Sequence, residues 1–429
     1  MAGMTDPLAI LGGRPAVSRP LQPFNTIGGR ERAAVLKFLD GGTPLSGFHG
    51  SPRPTFFGGV EVRAFEAAWC ERFGVRHTVT VNSATSALIA AMGAVGVSPG
   101  DEVITSPYTM TATAIAPLFY GGIPVFADIE PDHFCLDVAS VERAITSRTK
   151  AIIAVNIFGH PAELAKLRQL ADARGIYLIE DNAQGALAEE NGRLAGTIGH
   201  IGIYSLNIHK HIQTGEGGVL VTEDADLAQR LQLIRNHGEN VIDWLKVEDI
   251  TNLVGMNIRM TELSAAVGRA QLERIDDLVG RAEQIAMRLS QGIRGLNGII
   301  PPAVRQGCRH TYFMWSCKLD PDALGISRSA FAKALSAEGF PNAEGYVAPI
   351  YTIPLFQKRI AIGSHGFPFN LGDRTYARGD CPVVEAMHER FLLQFQPVSW
   401  EADDEQVDML IEAVHKVHRH AGALAEAAE

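Results

Sequence analysis

From about Val62 onward the chain alternates two hydrophobic patterns. Residues 62–73 carry apolar side chains at helical spacing, and Thr78-Val-Thr-Val81 follows as a short strand. Asn82-Ser-Ala-Thr-Ser86 is a polar turn, and residues 87–95 form an alanine-rich helical run. The unit recurs at Asp101-Glu-Val-Ile-Thr105, which leads through Pro107 into a helix reaching Ala116. Further strand-like runs cover residues 123–127, 151–155, 176–179, 201–204 and 218–222, with a helix over 162–174. Near-continuous apolar strands must be buried on both faces. The pattern therefore predicts an α/β fold, a mainly parallel sheet covered by helices. Ligands of such sheets collect outside the carboxyl ends of the strands.

Residues 1–60 depart from this rhythm. They are rich in Gly and Pro, with turn signals at Gly12-Gly13-Arg-Pro15 and Pro44-Leu-Ser-Gly47, and predict an arm with one helix near 30–39. After Leu263 one long amphipathic helix to about Leu289 is expected to act as a connector. Beyond it strand and helix alternate less regularly, as in a smaller α+β domain. The expected division is an arm (1–60), a large domain (61–289) and a small C-terminal domain (290–429). A chain of 429 residues is long enough for such a division.

The formal charge of −10 argues against a nucleic-acid or anionic-membrane partner, which would need a basic face. A small anionic ligand in a locally basic pocket stays open. The five cysteines (Cys70, Cys135, Cys308, Cys317, Cys381) are scattered without a CxxC, as expected of reduced thiols in a cytoplasmic protein. The opening residues show no signal peptide, and no apolar run approaches a membrane span.

Three polar clusters fall at predicted strand ends: 83–86, 181–184 and 205–210. Lys210 stands in a polar turn between two apolar strands, with Gly215, Gly217 and Gly218 downstream, where glycine permits tight turns and close approach to a ligand. Such a lysine suits a Schiff base. Asp181 ends a buried strand, where a carboxylate can pair with a protonated pyridine nitrogen; alone it reads as readily as a helix cap or metal ligand. A phosphate cradle would complete a pyridoxal phosphate site. The candidates are the helix opening at Ala84-Thr85-Ser86, where backbone N–H groups and the dipole favour an anion, and the Ser205 hydroxyl.

These residues resemble the DegT/DnrJ/StrS sugar aminotransferases, pyridoxal-phosphate enzymes of fold type I. The matching pieces are Asn82-Ser-Ala-Thr-Ser-Ala-Leu88, Pro99-Gly-Asp-Glu-Val-Ile104, Glu180-Asp-Asn-Ala-Gln184, residues 205–218 and Gly255-Met-Asn-Ile-Arg-Met260. The resemblance implies a large domain with a mainly parallel sheet of the seven-stranded type. Lys210 would hold pyridoxal 5'-phosphate as a Schiff base and shuttle the proton, with the pyridoxamine phosphate (PMP) form as intermediate in a ping-pong reaction. Asp181 would pair with the ring nitrogen and Gln184 with the ring hydroxyl, while Ala84, Thr85 and Ser205 hold the phosphate. Asn257 would reach the phosphate from the neighbouring subunit of a homodimer. Glutamate or glutamine would donate the amino group to a keto-sugar, most simply a nucleotide-linked one. A ketocyclitol, a sugar dehydration or a non-catalytic cofactor-binding role are the alternatives.

Met110 stands where the family often stacks an aromatic on the cofactor; either its thioether packs there or Tyr108 takes part. His209 and His211 flank Lys210 and are expected to make local hydrogen bonds sooner than substrate contacts. Arg235 and Arg259 lie close in sequence to the site, as anion ligands or as ion-pair partners. The stretch from Glu344-Gly-Tyr346 to Tyr351 matches a family stretch near the substrate. No metal site is expected: His415, His418 and His420 lack an acidic or thiol companion and read as a solvated helix face.

Overall fold

A computed structural model describes residues 6–42 and 44–426; Met1–Thr5, where no signal peptide is expected, lie outside the described residues. Seven strands form the central sheet: β1 (His77–Val81), β2 (Glu102–Thr105), β3 (Ile123–Phe126), β4 (Thr149–Val155), β5 (Tyr177–Asp181), β6 (Ile201–Ser205) and β7 (Gly218–Thr222). Their spatial order is β1-β7-β6-β5-β4-β2-β3. β7 runs antiparallel to both its neighbours, and the other pairs are parallel. β1, β5 and β6 therefore end on the same edge, which brings the three polar clusters together.

Both faces of the sheet are covered, which is why its strands read as continuous apolar runs. In β7, Leu220 packs into the cluster formed with helices α3 (Ala84–Ala94) and α6 (Ala225–Arg235). Val219 and Val221 point the other way, toward α2 (Val60–Phe73), α7 (Glu262–Leu272) and α8 (Ile275–Gly292). The arm carries α1 (Gly29–Asp40), which lies against α7. After Pro107 the expected helix is short: α4 (Thr111–Ile115) gives way to a 3₁₀ stretch at Ala116–Tyr120, where Pro117 removes an N–H. α5 (Leu164–Arg174) crosses between β4 and β5.

The single long connector helix expected after Leu263 is two helices. α7 ends at Leu272 and α8 begins at Ile275, with Arg274 at φ −116°, ψ 7° between them. Arg274 Nη1 donates to the Glu31 carboxylate and the Thr26 carbonyl, so the break anchors the arm. No proline or glycine marks that break in the sequence.

The C-terminal residues form a second sheet, β8 (Ile299–Ile300), β9 (Trp315–Leu319), β10 (Ala343–Glu344) and β11 (Leu392–Phe395), in the order β8-β9-β11-β10. Helices α9 (Arg328–Ala337) and α10 (Asp404–Arg419) pack with it in one apolar cluster, which also takes Leu8, Val17 and Leu21 of the arm. Buried Glu338 fastens that arm, accepting from the N–H groups of Ala9 and Ala16 while paired with Lys416.

Candidate active site

α3 begins three residues earlier than its periodicity shows, because Ser83 is a true cap: its Oγ accepts from the Ser86 N–H at 3.1 Å. Ala84 and Thr85 thus occupy the first turn, where N–H groups have no acceptor within the helix. β7 starts against this turn. A Cβ on Gly218 would stand 2.5 Å from the carbonyl carbon of Ser83 and 2.8 Å from the nitrogen of Ala84. The glycine expected to admit a ligand admits the backbone of α3 instead. Gly215, at φ +81°, supplies the left-handed turn that sends the chain back into β7.

A cavity of about 340 Å³ opens at this edge of the sheet. Lys210, Asp181, Gln184, Ser205, Ala84, Thr85 and Met110 all line it. Met110 is 57% exposed at the opening, whereas Tyr108 is fully buried behind the site against Phe158, Tyr346 and His388. Of these two side chains, Met110 lines the cavity and Tyr108 does not.

Asp181 Oδ2 accepts from the Thr113 hydroxyl at 2.7 Å, and Oδ1 from the Ala183 N–H at 3.2 Å. Burial raises its pKa, against those hydrogen bonds and the Lys210 charge, which lower it. Lys210 is affected in the opposite direction. Burial pushes its amine down to about 8, and the Asp181 charge offsets part of that. Its Nζ lies 4.4 Å from the centre of the Phe313 ring. Gln184 Oε1 accepts from the Phe158 N–H at 2.8 Å, and its Nε2 donates to the Tyr346 hydroxyl at 3.0 Å, which brings the 344–351 stretch to the site.

The flanking histidines differ. His209 lines the cavity, whereas buried His211 is held neutral, its pKa pushed down to about 4, and its Nε2 donates to the Thr311 carbonyl at 2.8 Å. Arg235 is not a ligand for an anion here. It is fully buried, paired with Glu66 at 2.6 Å, and donates to the carbonyls of Thr80 and Phe57. Arg259 donates to Asn257 Oδ1 at 2.7 Å and to Asn236 Oδ1 at 3.3 Å. Asn257 itself is exposed and does not line the cavity of its own chain. His415 and His418 bond to the carbonyls of Gly292 and Asn297. Among the described residues no group of His, Cys, Asp or Glu could hold a metal.

Sequence reasoning missed several participants. Thr109, just before α4, and Thr113 within it brace the cavity wall and Asp181. Asn207 and Glu216, which face each other at 3.0 Å, also line it. The first pair carries a weak signal, polar residues at i and i+4 after a predicted strand. Phe313 carries none, being far away in sequence. A larger groove of about 580 Å³ between α1 and α7 is remote from all these groups and is flanked by Arg30 and Glu273. Chemistry, not size, selects the site.

The donor set fits pyridoxal phosphate: a buried acid with no salt bridge among the described residues, an amine made nucleophilic by burial, and a helix N-terminus whose first N–H groups face no helical acceptor, all in one cavity. This sheet, with that cavity at its carboxyl edge, defines a pyridoxal-phosphate-dependent aminotransferase fold. Residues 53–415 match the DegT/DnrJ/EryC1/StrS aminotransferase family. The chain belongs to that family and is a pyridoxal-phosphate-dependent aminotransferase.

Among its relatives is the UDP-N-acetyl-3-dehydro-alpha-D-glucosamine 3-aminotransferase of Acidithiobacillus ferrooxidans. It is 32% identical over 84% of this chain and 90% of that one. The L-glutamine:2-deoxy-scyllo-inosose aminotransferase of Streptoalloteichus tenebrarius is 34% identical, over 84% and 87%. The solved structure of DesI with its TDP-sugar product superposes with a TM-score of 0.79 at 27% identity, covering 98% of each chain. Among the described residues no helix is long and apolar enough to cross a membrane.

Proposed function

We propose that the protein transfers an amino group from glutamate or glutamine to a keto-sugar carried on a nucleoside diphosphate, with Lys210 as the group that bonds the cofactor and moves the proton. The observation that carries this is the sharing of one cavity by the Lys210 amine, the Asp181 carboxylate and the first turn of α3. Bound there, pyridoxal phosphate supplies an electron sink and the carbonyl that accepts and passes on the amino group. Lys210 Nζ, brought down to about 8 by burial, is partly neutral near physiological pH and takes the proton from the carbon bearing the nitrogen. Asp181, braced by Thr113, would hold a proton-bearing ring nitrogen, and Gln184, now bonded to the Phe158 N–H and the Tyr346 hydroxyl, would serve the ring hydroxyl. The N–H groups of Ala84 and Thr85, with Ser205, would hold the phosphate. Met110, at the opening, would cover the ring. Asn257, exposed and outside its own cavity, would reach the phosphate of a partner subunit in a homodimer.

The sugar reading is supported by the relative that acts on a UDP-linked amino-sugar ketone and by the neighbour holding a TDP-sugar. The inosose aminotransferase supports a second reading, a ketocyclitol acceptor.

The test is the absorption of the cofactor-loaded protein on adding glutamate or glutamine, beside Lys210→Ala. The wild type should lose its near-ultraviolet-to-visible band and regain it on addition of the correct ketone, with the aminated product identified by mass. Lys210→Ala should show no donor-dependent cycle. A band that no amino donor changes would overturn the reading. Product from a cyclitol ketone and none from nucleotide-linked ketones would replace it with the second.

A further inference from the structure

We propose that Phe313 is a positioning residue for Lys210, its ring face fixing where the free amine rests and holding the amine's proton more tightly than a saturated side chain would. The inference rests on the reading of Lys210 as the cofactor-bearing lysine and extends it to a residue outside every motif of the site.

The geometry is direct. Lys210 Nζ sits 4.4 Å from the Phe313 ring centre, within the roughly 6 Å over which an ammonium is drawn to an aromatic face. Phe313 is buried, and the backbone around it is pinned on three sides. Thr311 N–H donates to the Gly159 carbonyl at 2.9 Å, Met314 N–H to the Phe158 carbonyl at 3.1 Å, and His211 Nε2 to the Thr311 carbonyl at 2.8 Å. The backbone that carries the ring is therefore held beside the lysine turn. The same turn touches both halves of the site, since His211 adjoins Lys210 and the Phe158 N–H engages Gln184.

The titratable groups facing Lys210 are few. Asp181 lies across the cavity and favours the ammonium; His209 and Glu216 line the wall; His211 is neutral. Burial alone pulls the amine toward its neutral form. Nζ forms no hydrogen bond among the described residues, so no acceptor must be given up when the amine moves to bond a ligand. An aromatic face suits that purpose: it attracts the ammonium and exerts little hold on the neutral amine. An amine that is alternately bonded and free needs such a resting place.

The test uses the full-length chain freed of cofactor. Acylation of Lys210 by an amine-reactive reagent is followed against pH by peptide mass, giving the titration midpoint of this one amine. In Phe313→Leu the midpoint should fall by about half a unit to one unit, while Phe313→Tyr keeps the wild-type value. Phe313→Met is a second saturated replacement should the leucine variant not fold, with the same fall expected. In the loaded enzyme kcat should drop in the saturated variants with the donor KM little changed. A midpoint in the leucine or methionine variant equal to or above the wild type overturns the proposal. Borohydride reduction of the loaded wild type, read by the mass of the Lys210 peptide, separately tests whether this lysine bears the cofactor. Failure there would sink the cofactor assignment, while the midpoints would still decide the role of Phe313.

Discussion

Lys210 and Asp181 are both destabilised as charges by burial, and each is only partly relieved by the charge of the other. The ordinary lysine value of 10.5 falls to about 8 in the cavity. Between those two values the unfolded chain binds a proton that the folded chain has released, so this group makes stability rise with pH across the window. Its penalty is complete below about 8 and absent above 10.5. Lys210→Met keeps the apolar stem and removes the charge, and Asp181, already raised by burial, is free to take up a proton. The cofactor-free variant should therefore be more stable than the cofactor-free wild type at pH 7, by about 1–3 kcal/mol. The gap should close as pH passes through the window. Thermal melts of both chains at several pH values check this, and equal melts throughout would mean that the amine is solvated.

At the scale of elements, the site depends on where β7 meets α3. Gly218→Ala would drive a methyl into the carbonyl of Ser83 and the nitrogen of Ala84, displacing the turn whose N–H groups face the cavity. Cofactor affinity should fall roughly tenfold or more, equivalent to 1.4 kcal/mol or above. Gly215→Ala is the contrast: φ there is +81°, but a Cβ meets nothing within 4 Å. It should cost about 1 kcal/mol of stability through backbone strain and leave affinity nearly unchanged. Cofactor titrations of the two variants separate displacement from strain. The strands and the catalytic edge were legible because burial on both faces leaves unbroken apolar runs, and because Asp181, Ser205 and Ser83 each stand one or two positions past such a run. The break at Arg274 was not, since an interaction with Glu31, far back in the arm, ends a helix whose own pattern continues. Gly218 was legible as a special position but not in its purpose, because the backbone it admits belongs to α3. Tyr346 was legible only through the family resemblance of its stretch, and Phe313, which enters from the second sheet's part of the chain, carried no local pattern that could place it beside Lys210.

At the scale of the whole molecule, the arm and the C-terminal part are interlaced with the large sheet. Leu8, Val17 and Leu21 pack with α9 and α10, while Ile350, Tyr351, Phe356 and Phe369 pack with the β2–β5 side of the large sheet. We propose domain boundaries near residues 60 and 290, with the first arm residues docked on the C-terminal domain and the stretch around 346–376 reaching back over the large one. Such interlacing holds Phe313 and Tyr346 against the cavity within one chain, yet leaves Asn257 outside it. If the proposed two-fold dimer places that side chain on the partner's phosphate, each site takes Lys210 from one subunit and Asn257 from the other. Lys210→Ala and Asn257→Ala should then each be poorly active alone. Co-expressed, they should recover about a quarter of wild-type activity, since half the dimers are mixed and each mixed dimer holds one intact site of two. If Asn257 instead served its own chain, mixing would build no intact site and activity would stay at the level of the single variants. Recovery that grows with the fraction of mixed dimers, counted by differently tagged subunits, would thus place the site at a subunit boundary, and its absence would return Asn257 to a local partner of Arg259.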